Sequence, residues 1–134
     1  MIVDTSALIA ILRGEPDAAY FVDAIVAEEG RTLLSAGSYL ETAIVVDGGR
    51  SPVASRRLDE FLAEAGIKIV EVTVSQARIA RAAYRDFGKG SGHPAQLNFG
   101  DCFAYALATE RGERLLAKGT DFVRTDVRMW MPSR

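Results

Sequence analysis

The sequence predicts an α/β fold with a central, mainly parallel sheet of four or five strands flanked by helices. Short apolar runs bounded by turn residues alternate along the chain with segments in which apolar residues recur at helical spacing. This alternation is typical of a parallel sheet, because a helix returns the chain to the start of each next strand. The 134 residues suit one hydrophobic core, so we expect a single domain over residues 1–134.

Four apolar runs are the predicted strands, and six helices are predicted between and after them. The strands span residues 2–4, 32–34, 67–72 and 115–117, and a last apolar patch occupies 129–131. The helices span approximately residues 7–12, 16–29, 39–46, 52–65, 76–87 and 101–110. Hydroxyl side chains that accept from exposed backbone N–H groups are the expected caps, namely Thr5 or Ser6 for the first helix and Ser75 for the fifth. Ser35, Gly37 and Ser38 are the expected turn and cap before the third helix.

Composition and charge exclude several classes of protein. The chain is 49% hydrophobic, which is enough for a folded core, and the lone Cys102 excludes a disulfide scaffold. The 16 basic and 18 acidic residues give a net charge of -2, which excludes a histone-like nucleic-acid binder. The longest apolar stretches are far shorter than the roughly 20 residues that span a bilayer. Asp4 interrupts the first apolar run with no basic segment before it, so we expect no secretory signal and a cytoplasmic location.

Four acidic residues are predicted to meet at one edge of the sheet. Asp4 ends the first strand, and Asp121 lies just beyond the fourth. Glu41 lies in the first turns of the helix after the second strand, and Asp101 begins the sixth helix. Ligands of open parallel sheets bind beyond the carboxyl ends of the strands, so this edge is the candidate site.

Each acid also has an ordinary structural explanation. Asp101 suits a helix N-terminus, and Asp121 suits a turn. Glu41 follows Ser38 at the spacing of a capping box. Asp4 is the hardest to explain in this way, because a lone carboxylate buried behind an apolar strand is costly.

Taken together, four converging carboxylates repel one another strongly unless a divalent cation lies among them. Carboxylate oxygens are the ligands that Mg²⁺ and Mn²⁺ prefer, and such a cation activates water and offsets charge on a phosphoryl group. The chain has no nucleophile elbow, no Walker loop and no dinucleotide-binding glycine motif after a strand. Metal-assisted phosphoryl chemistry is therefore the predicted reaction class.

Four segments, in order along nearly the whole chain, resemble the acidic motifs of PIN-domain ribonucleases, and most closely those of VapC-type toxins. They are MIVDTSAL at 1–8, SYLE at 38–41, LNFGDCFAYA at 97–106 and LLAKGTDF at 115–122. The resemblance implies a Mg²⁺- or Mn²⁺-dependent endoribonuclease that cuts structured RNA such as tRNA or rRNA. It also implies a homodimer, higher toxin–antitoxin assemblies, and a cognate antitoxin whose C-terminal segment covers the active site.

The resemblance also assigns roles to the acids, residue by residue. It makes Asp4 and Asp101 metal ligands and Glu41 the third acid, bound to metal directly or through water. We expect one of the acids to act as general base for a water that attacks the phosphate in line. All four acids, the fourth included, are thus the expected catalytic residues.

The fourth acid is displaced relative to the family pattern. Many members have an acid directly after a Thr-x pair at the end of the fourth strand, where this chain has Gly119. Asp121 is the nearest acid and the expected ligand, with Asp126 as its alternative. Four polar side chains are expected to orient ligands or water, namely Thr5, Ser6, Asn98 and Thr120. For Asn98, a plain turn role is the alternative.

A row of basic side chains is the candidate RNA-binding surface. Phosphate contacts require local positive charge rather than a basic protein. The fifth helix carries Arg78, Arg81 and Arg85, and Lys89 extends the row. The opposite face is the expected core face, consisting of Ala77, Ala80, Ala83, Tyr84 and Phe87. A merely solvated helix face is the alternative explanation of the row.

Two other functions remain open on the sequence alone. A catalytically weak PIN-fold module that binds RNA or scaffolds a complex would keep the fold, and the displaced fourth acid favours it. A phosphoacceptor receiver domain is also α/β, but here no acidic pair follows an early strand and no Asp ends the third strand. The three leading acids favour the ribonuclease.

Overall fold

A four-stranded parallel sheet in the order β3-β2-β1-β4 is the frame of the fold in the computed structural model. The strands are β1 (Ile2–Val3), β2 (Leu33–Ser35), β3 (Lys68–Val70) and β4 (Leu115–Leu116). An isolated parallel bridge from Leu115 to Met129 adds the last apolar patch to the β4 edge. The predicted α/β fold with a parallel sheet is therefore confirmed. The structure describes residues 1–132, so positions 133 and 134 of the expected domain lie outside the described residues.

Six α-helices and one short 3-10 turn accompany the sheet in the described part of the chain. They are α1 (Thr5–Leu12), α2 (Ala18–Ala27), α3 (Ala36–Asp47), α4 (Pro52–Glu64), α5 (Val74–Phe87), α6 (Asp101–Arg111) and the 3-10 turn Phe122–Arg124. Within residues 1–132, none of the helices has the length and apolar character needed to cross a membrane. The order of strands and helices follows the predicted alternation.

The sheet is covered on both faces, and this buries the carboxyl end of β1. Successive residues of a strand point to opposite faces. Val3 and Leu116 therefore pack with α1, α2 and α4, whereas Ile2 and Leu115 pack with α5 and α6. The backbone N–H of Asp4 donates to the Leu116 carbonyl oxygen at 2.9 Å, so Asp4 continues the central strand into the interior.

Three helices begin earlier than predicted, and their caps differ from the expected ones. The residues that cap α1, α3 and α5 are Asp4, Ser35 and Thr73. The predictions of Thr5 or Ser6 and of Ser75 as caps are therefore wrong, and within the predicted turn of Ser35, Gly37 and Ser38 the cap is Ser35. Helices α1 and α3 follow β1 and β2 with no separate linker, so the residue at which the strand gives way to the helix, Asp4 or Ser35, is also the cap. Ser38 is buried inside α3, which means that it forms no capping box with Glu41.

The core face of α5 also differs from the predicted one. Ile79, Ala83 and Phe87 pack in the core, and Gln76 is buried with them. Three of the predicted core residues instead line an open groove between α5 and α6, namely Ala77, Ala80 and Tyr84. Small and aromatic side chains suit a core and a groove equally well, so the pattern alone did not separate the two faces.

Candidate active site

Asp4 is the buried acid at the centre of the candidate site. Among the described residues it is the acidic residue whose side chain is buried, with 3% of its surface exposed. Its Oδ2 accepts hydrogen bonds from the backbone N–H of Ser6 at 3.0 Å and from the Ser6 hydroxyl at 2.7 Å. Its Oδ1 has no hydrogen-bond partner. A buried acceptor without a partner is costly, so this oxygen is available to a ligand at the end of β1.

The pKa of Asp4 is raised from its ordinary value of 3.8 to about 7. Burial is the largest cause, and the charges of Asp101 and Glu41 add to it. The two hydrogen bonds from Ser6 lower the pKa, because they stabilise the ionised form. A carboxyl group with a perturbed pKa and acidic neighbours is typical of a functional site.

Asp101 is the first residue of α6, and a reciprocal pair of hydrogen bonds fixes it. Its backbone N–H donates to Asn98 Oδ1 at 2.8 Å, and its Oδ2 accepts from the Asn98 backbone N–H at 2.9 Å. This pairing is the arrangement of a capping box. Burial raises the pKa of Asp101, the Asn98 N–H lowers it, and the charges of Asp121 and Glu41 raise it.

Glu41 reaches the start of α6 because position 100 has no side chain. A Cβ at Gly100 would overlap the Glu41 carboxylate. One turn earlier on α3, Gly37 allows the Phe103 ring a similarly close approach. The two glycines let α3 and α6 pack tightly, which brings Glu41 beside Asp101. The sequence analysis did not identify this role of Gly100. The one signal for it in the sequence is a glycine directly before Asp101.

The two candidates for the fourth acid, Asp121 and Asp126, have different surroundings. The charge of Asp121 raises the pKa of Asp101. Asp126 instead accepts a hydrogen bond from the Tyr105 hydroxyl and lies beside Thr109. Tyr105 and Thr109 follow Asp101 by one and two turns of α6, so Asp126 lies toward the other end of that helix.

The acids interact through their charges but do not close to metal-ligand distances. Within residues 1–132, no three Asp, Glu, His or Cys side chains lie close enough to hold a metal ion as the side chains stand. Asp4 nevertheless interacts with Asp101 and Glu41, and Asp101 interacts with Asp121. Charge interactions extend well beyond the roughly 2.0–2.6 Å of metal–oxygen bonds. The unpaired Oδ1 of Asp4 and the all-oxygen donor set fit a hard divalent cation such as Mg²⁺ or Mn²⁺.

Ser6 connects Asp4 to the end of β4. Its hydroxyl donates to Asp4 Oδ2 at 2.7 Å and accepts from the backbone N–H of Lys118 at 2.9 Å. Of the four side chains expected to orient ligands, Ser6 and Asn98 are thus the two that hydrogen-bond to an acid in the described structure.

Thr5 and Thr120 occupy different surroundings. The Thr5 hydroxyl donates to the Ser38 carbonyl oxygen at 3.1 Å, and the Thr42 hydroxyl lies 3.0 Å from Thr5 Oγ1. Thr5 therefore ties α1 to α3 rather than bonding to Asp4. Thr120 is exposed in the turn after β4.

The predicted basic row is exposed, and its members differ in their surroundings. The charge of Lys89 lowers the pKa of Asp101, which indicates that Lys89 lies near this acid. Arg85 forms an ion pair with its neighbour in the chain at 2.9 Å. Arg78 and Arg81 are exposed and, within residues 1–132, form no ion pair. Arg78, Arg81 and Lys89 are therefore the members most available to an anionic ligand.

Cys102 is a buried residue, as the sequence suggested. Burial raises the pKa of its thiol to about 11, and the charge of Asp101 adds to the effect. The Sγ donates to the Asn98 carbonyl oxygen at 3.4 Å. A thiol that stays protonated is a poor nucleophile.

The chain is similar to known proteins in sequence and in fold. Residues 1–128 match the family model of the PIN domain. The chain is 59% identical over 134 residues, the whole of both chains, to Ribonuclease VapC28 of Mycobacterium tuberculosis. The fold matches the crystal structure of M. tuberculosis VapC20, described as a sarcin-ricin loop cleaving toxin, with a TM-score of 0.77, 16% identity and 98% of each chain covered. It also matches a toxin–antitoxin complex from Klebsiella pneumoniae, with a TM-score of 0.63, 19% identity, and 90% of this chain and 88% of that chain covered.

The two structural matches are distant in sequence and show the fold alone. The family model and the full-length identity to VapC28 show more, and they confirm the resemblance carried by the ordered acidic motifs. The chain belongs to the PIN-domain family and, within it, to the VapC-type ribonucleases, which are the toxins of toxin–antitoxin systems.

Proposed function

We propose that the protein is a Mg²⁺- or Mn²⁺-dependent endoribonuclease that cleaves structured RNA, such as tRNA or rRNA, as the toxin of a type II toxin–antitoxin pair. The observation that carries the proposal is the state of Asp4. It is a buried carboxylate with a raised pKa and one unpaired oxygen, beside Asp101 and Glu41. An ionised group in this position costs stability, and a divalent cation held there offsets that cost.

The acids divide the work of holding the cation and moving a proton. When bound, the cation lowers the pKa of water and offsets the charge that builds on the phosphate. Asp4 and Asp101 would hold it through their carboxylate oxygens, Glu41 would contribute directly or through water, and Asp121 would be the fourth acid. One of these carboxylates accepts the proton of the water that attacks the phosphate in line.

The supporting residues fix the acids and attract the substrate. The Ser6 hydroxyl holds the Asp4 carboxylate, and the Asn98 backbone N–H holds that of Asp101, so neither acid has to be ordered during the reaction. Arg78, Arg81 and Lys89 offer positive charge to RNA phosphates. Because VapC20, a neighbour in fold, is described as a sarcin-ricin loop cleaving toxin, a folded loop is the substrate element that we favour.

The test is cleavage of purified bacterial tRNA and rRNA in Mg²⁺, in Mn²⁺ and in excess EDTA. The proteins are the wild type, Asp4→Asn and the exposed control Asp23→Asn on α2. We expect cleavage only with a divalent cation, a loss of at least about 100-fold in Asp4→Asn, and wild-type cleavage in the control. Wild-type rates in Asp4→Asn, or cleavage that persists in EDTA, would sink the proposal. A wild type that binds RNA and cleaves it with neither metal would favour the RNA-binding or scaffolding alternative.

A cognate antitoxin and a homodimer complete the proposal, with action in the cytoplasm. The VapC-type relatives and the toxin–antitoxin complex among the structural neighbours support such a partner. Expression of the chain alone is expected to arrest bacterial growth, and co-expression with the neighbouring upstream reading frame is expected to relieve the arrest. Light scattering on the purified toxin and on the co-expressed complex distinguishes a homodimer from higher assemblies.

A further inference from the structure

An open groove of about 290 Å³ lies between α5 and α6, next to the proposed catalytic acids. Its lining is largely apolar and includes Val72, Ala77, Ala80, Tyr84, Phe99 and Phe103. Phe99 lies two residues before Asp101, so the groove opens beside the acid site. A volume near the lower end of small-molecule pockets suits a single flat ring system.

Phe99 is an aromatic platform at the mouth of this groove. It is 75% exposed, the highest value among the exposed large hydrophobic residues of the described chain. Its ring stands edge-to-face with that of Phe103, with centroids 5.1 Å apart and an interplanar angle of 80°. Phe103 in turn packs against Gly37 on α3, which fixes the pair in place. Exposed aromatic rings beside a nucleic-acid site are stacking platforms for unpaired bases.

Gln76 lines the groove and carries one buried acceptor that has no partner. Its side chain is 2% exposed, and its Nε2 donates to Glu110 Oε1 at 2.9 Å. Because a carboxylate only accepts, the amide nitrogen must face Glu110, and the amide oxygen must point elsewhere. That oxygen, Oε1, has no partner, although Gln76 lines the groove. A flat apolar ligand with an N–H donor would satisfy both the lining and this oxygen.

The charge at the rim favours a nucleotide over an apolar protein segment. Arg81 lines the groove, is exposed and, within residues 1–132, forms no ion pair. Lys89 lies close enough to lower the pKa of Asp101. A nucleotide brings a phosphate to these cations and a base to the aromatic and amide groups. A purely apolar side chain has no charge to pair with the cations and no N–H to donate to the amide oxygen.

We propose that the groove binds an unpaired nucleobase of the RNA substrate, next to the phosphate that is cleaved. The inference rests on the proposed function and deepens it. The base stacks on Phe99 and donates an N–H to Gln76 Oε1, while Arg81 contacts a neighbouring phosphate. A base inside a duplex has both faces stacked and its pairing edge occupied, so the groove selects loops over helices.

The test is an NMR titration of the isotope-labelled protein with the four nucleoside 5′-monophosphates. Ribose 5-phosphate is the probe that lacks a base. We expect the nucleotides to shift the amide signals of the groove residues in a saturable way, and ribose 5-phosphate to leave them unchanged. Phe99→Ala should weaken nucleotide binding at least about fivefold, and Phe99→Trp should restore it, since stacking needs the ring. Val26→Ala on α2, an equally exposed apolar position at 69%, is the matched control.

Gln76→Met provides a second, independent variant. It keeps the volume of the side chain and removes the acceptor, so it should change the ranking of the four nucleotides while nucleotide binding persists. Equal shifts with nucleotides and ribose 5-phosphate, or wild-type nucleotide affinity in Phe99→Ala, would overturn the inference. A groove covered by a second copy or another protein would also overturn it. If a second copy covers the groove, light scattering would show a dimeric wild type and a monomeric Phe99→Ala variant, and the NMR titration would show no base-dependent shift.

The proposed function is tested separately in the same samples. Mn²⁺ is expected to broaden the amide signals around Asp4 and Asp101, and divalent cations are expected to support RNA cleavage. Metal-dependent cleavage without base-dependent shifts overturns the groove assignment alone. Base-dependent shifts without metal-dependent cleavage support base binding in the groove and count against the proposed function alone.

Discussion

The Glu41 carboxylate occupies the space that a Cβ at Gly100 would need. Glu41 belongs to α3, and Gly100 directly precedes Asp101, the first residue of α6. The lack of a side chain at position 100 therefore lets Glu41 approach Asp101 from a different helix. The backbone of Gly100 is ordinary right-handed helix, with φ at -63°. Close contact, rather than conformational freedom, therefore explains the glycine at this position.

Gly100→Ala is expected to move the Glu41 carboxylate away from Asp101 and to lower kcat/KM for RNA on the order of 100-fold, as small misplacements of reacting groups do. Circular dichroism should show the wild-type helix content, because the backbone conformation accepts alanine. Gly49→Ala is the control, since a Cβ there stands 3.5 Å from the Val46 carbonyl oxygen, an ordinary contact. Equal kcat/KM in the two variants would contradict the role given to Gly100.

The metal-free protein is expected to lose stability as pH rises from about 4 to about 7. In this window folded Asp4 keeps its proton, whereas in the unfolded chain it has its ordinary pKa of 3.8 and is ionised. The folded state therefore binds more protons, and the free energy of unfolding falls with rising pH, by an amount on the order of a few kcal/mol. The raised pKa of Asp101 acts in the same direction.

The measurement is the Tm in EDTA as a function of pH for the wild type, Asp4→Asn and Asp23→Asn. Asp4→Asn should show a flatter profile and a higher Tm near pH 7, while cleaving no RNA. Asp23→Asn should follow the wild type. Added Mn²⁺ should raise the wild-type Tm more than that of Asp4→Asn, since a ligand that binds the folded state stabilises it. A wild-type profile in Asp4→Asn would show that Asp4 is not the titrating group.

Asn98 is expected to affect both stability and cleavage. Asn98→Ala removes the acceptor for the Asp101 N–H, which should cost about 1 kcal/mol and lower the Tm. The Asn98 backbone N–H that donates to the Asp101 carboxylate remains, but the turn that positions it loses its second hydrogen bond, so cleavage should fall roughly tenfold. Asn98→Ser keeps an acceptor oxygen and should restore most of both. A variant that loses stability but keeps full cleavage would assign Asn98 to the turn alone.

Asp121 and Asp126 are expected to differ in their effect on cleavage. Asp121→Asn removes a charge that acts on Asp101 and should slow cleavage about 10- to 100-fold. Asp126→Asn removes the charge of the group that accepts from the Tyr105 hydroxyl but keeps an acceptor oxygen, so it should change the rate by no more than about twofold, beside a small change in Tm. Rates with a common RNA at saturating metal decide between them, and the reverse order would make Asp126 the fourth acid.

The basic residues of α5 are expected to set the salt dependence of RNA binding. Arg78→Ala/Arg81→Ala should reduce the slope of log K against log salt by roughly 0.7 for each lost phosphate contact with a single strand. The measurement is fluorescence anisotropy with labelled RNA in an Asp4→Asn background, so that cleavage does not interfere. The control pair, Arg56→Ala/Arg57→Ala on α4, should leave the slope unchanged. Equal slopes for both pairs would favour a merely solvated face on α5.

The order of elements was accessible from the sequence because buried parallel strands appear as short continuous apolar runs. The boundaries were less accessible. Asp4 and Ser35 each end a strand and cap the next helix, and the neighbouring hydroxyls of Thr5 and Ser38 satisfy the same local preference. Which of several adjacent groups caps a helix depends on where strand pairing stops, and that is a tertiary property.

The candidate site also has one part that local sequence patterns predict and another part that they do not. Asp4 and Asp101 stand at a strand end and a helix start, so their positions follow from local patterns. The contributions of Gly100 and Gln76 depend on residues far away in the chain, since Gly100 makes room for Glu41 and Gln76 bonds across to the next helix. No local pattern reports such pairs.

Ser6 links the pKa of Asp4 to the position of the chain segment that follows β4. The Ser6 hydroxyl accepts a hydrogen bond from the Lys118 N–H and donates one to Asp4, so the position of the chain after β4 affects the carboxyl group that follows β1. The Lys118 ammonium anchors that position by pairing with Glu15 at 2.8 Å and Asp17 at 3.1 Å. Anything that pulls on the segment after β4 would thus change how tightly Asp4 holds a proton, without touching Asp4.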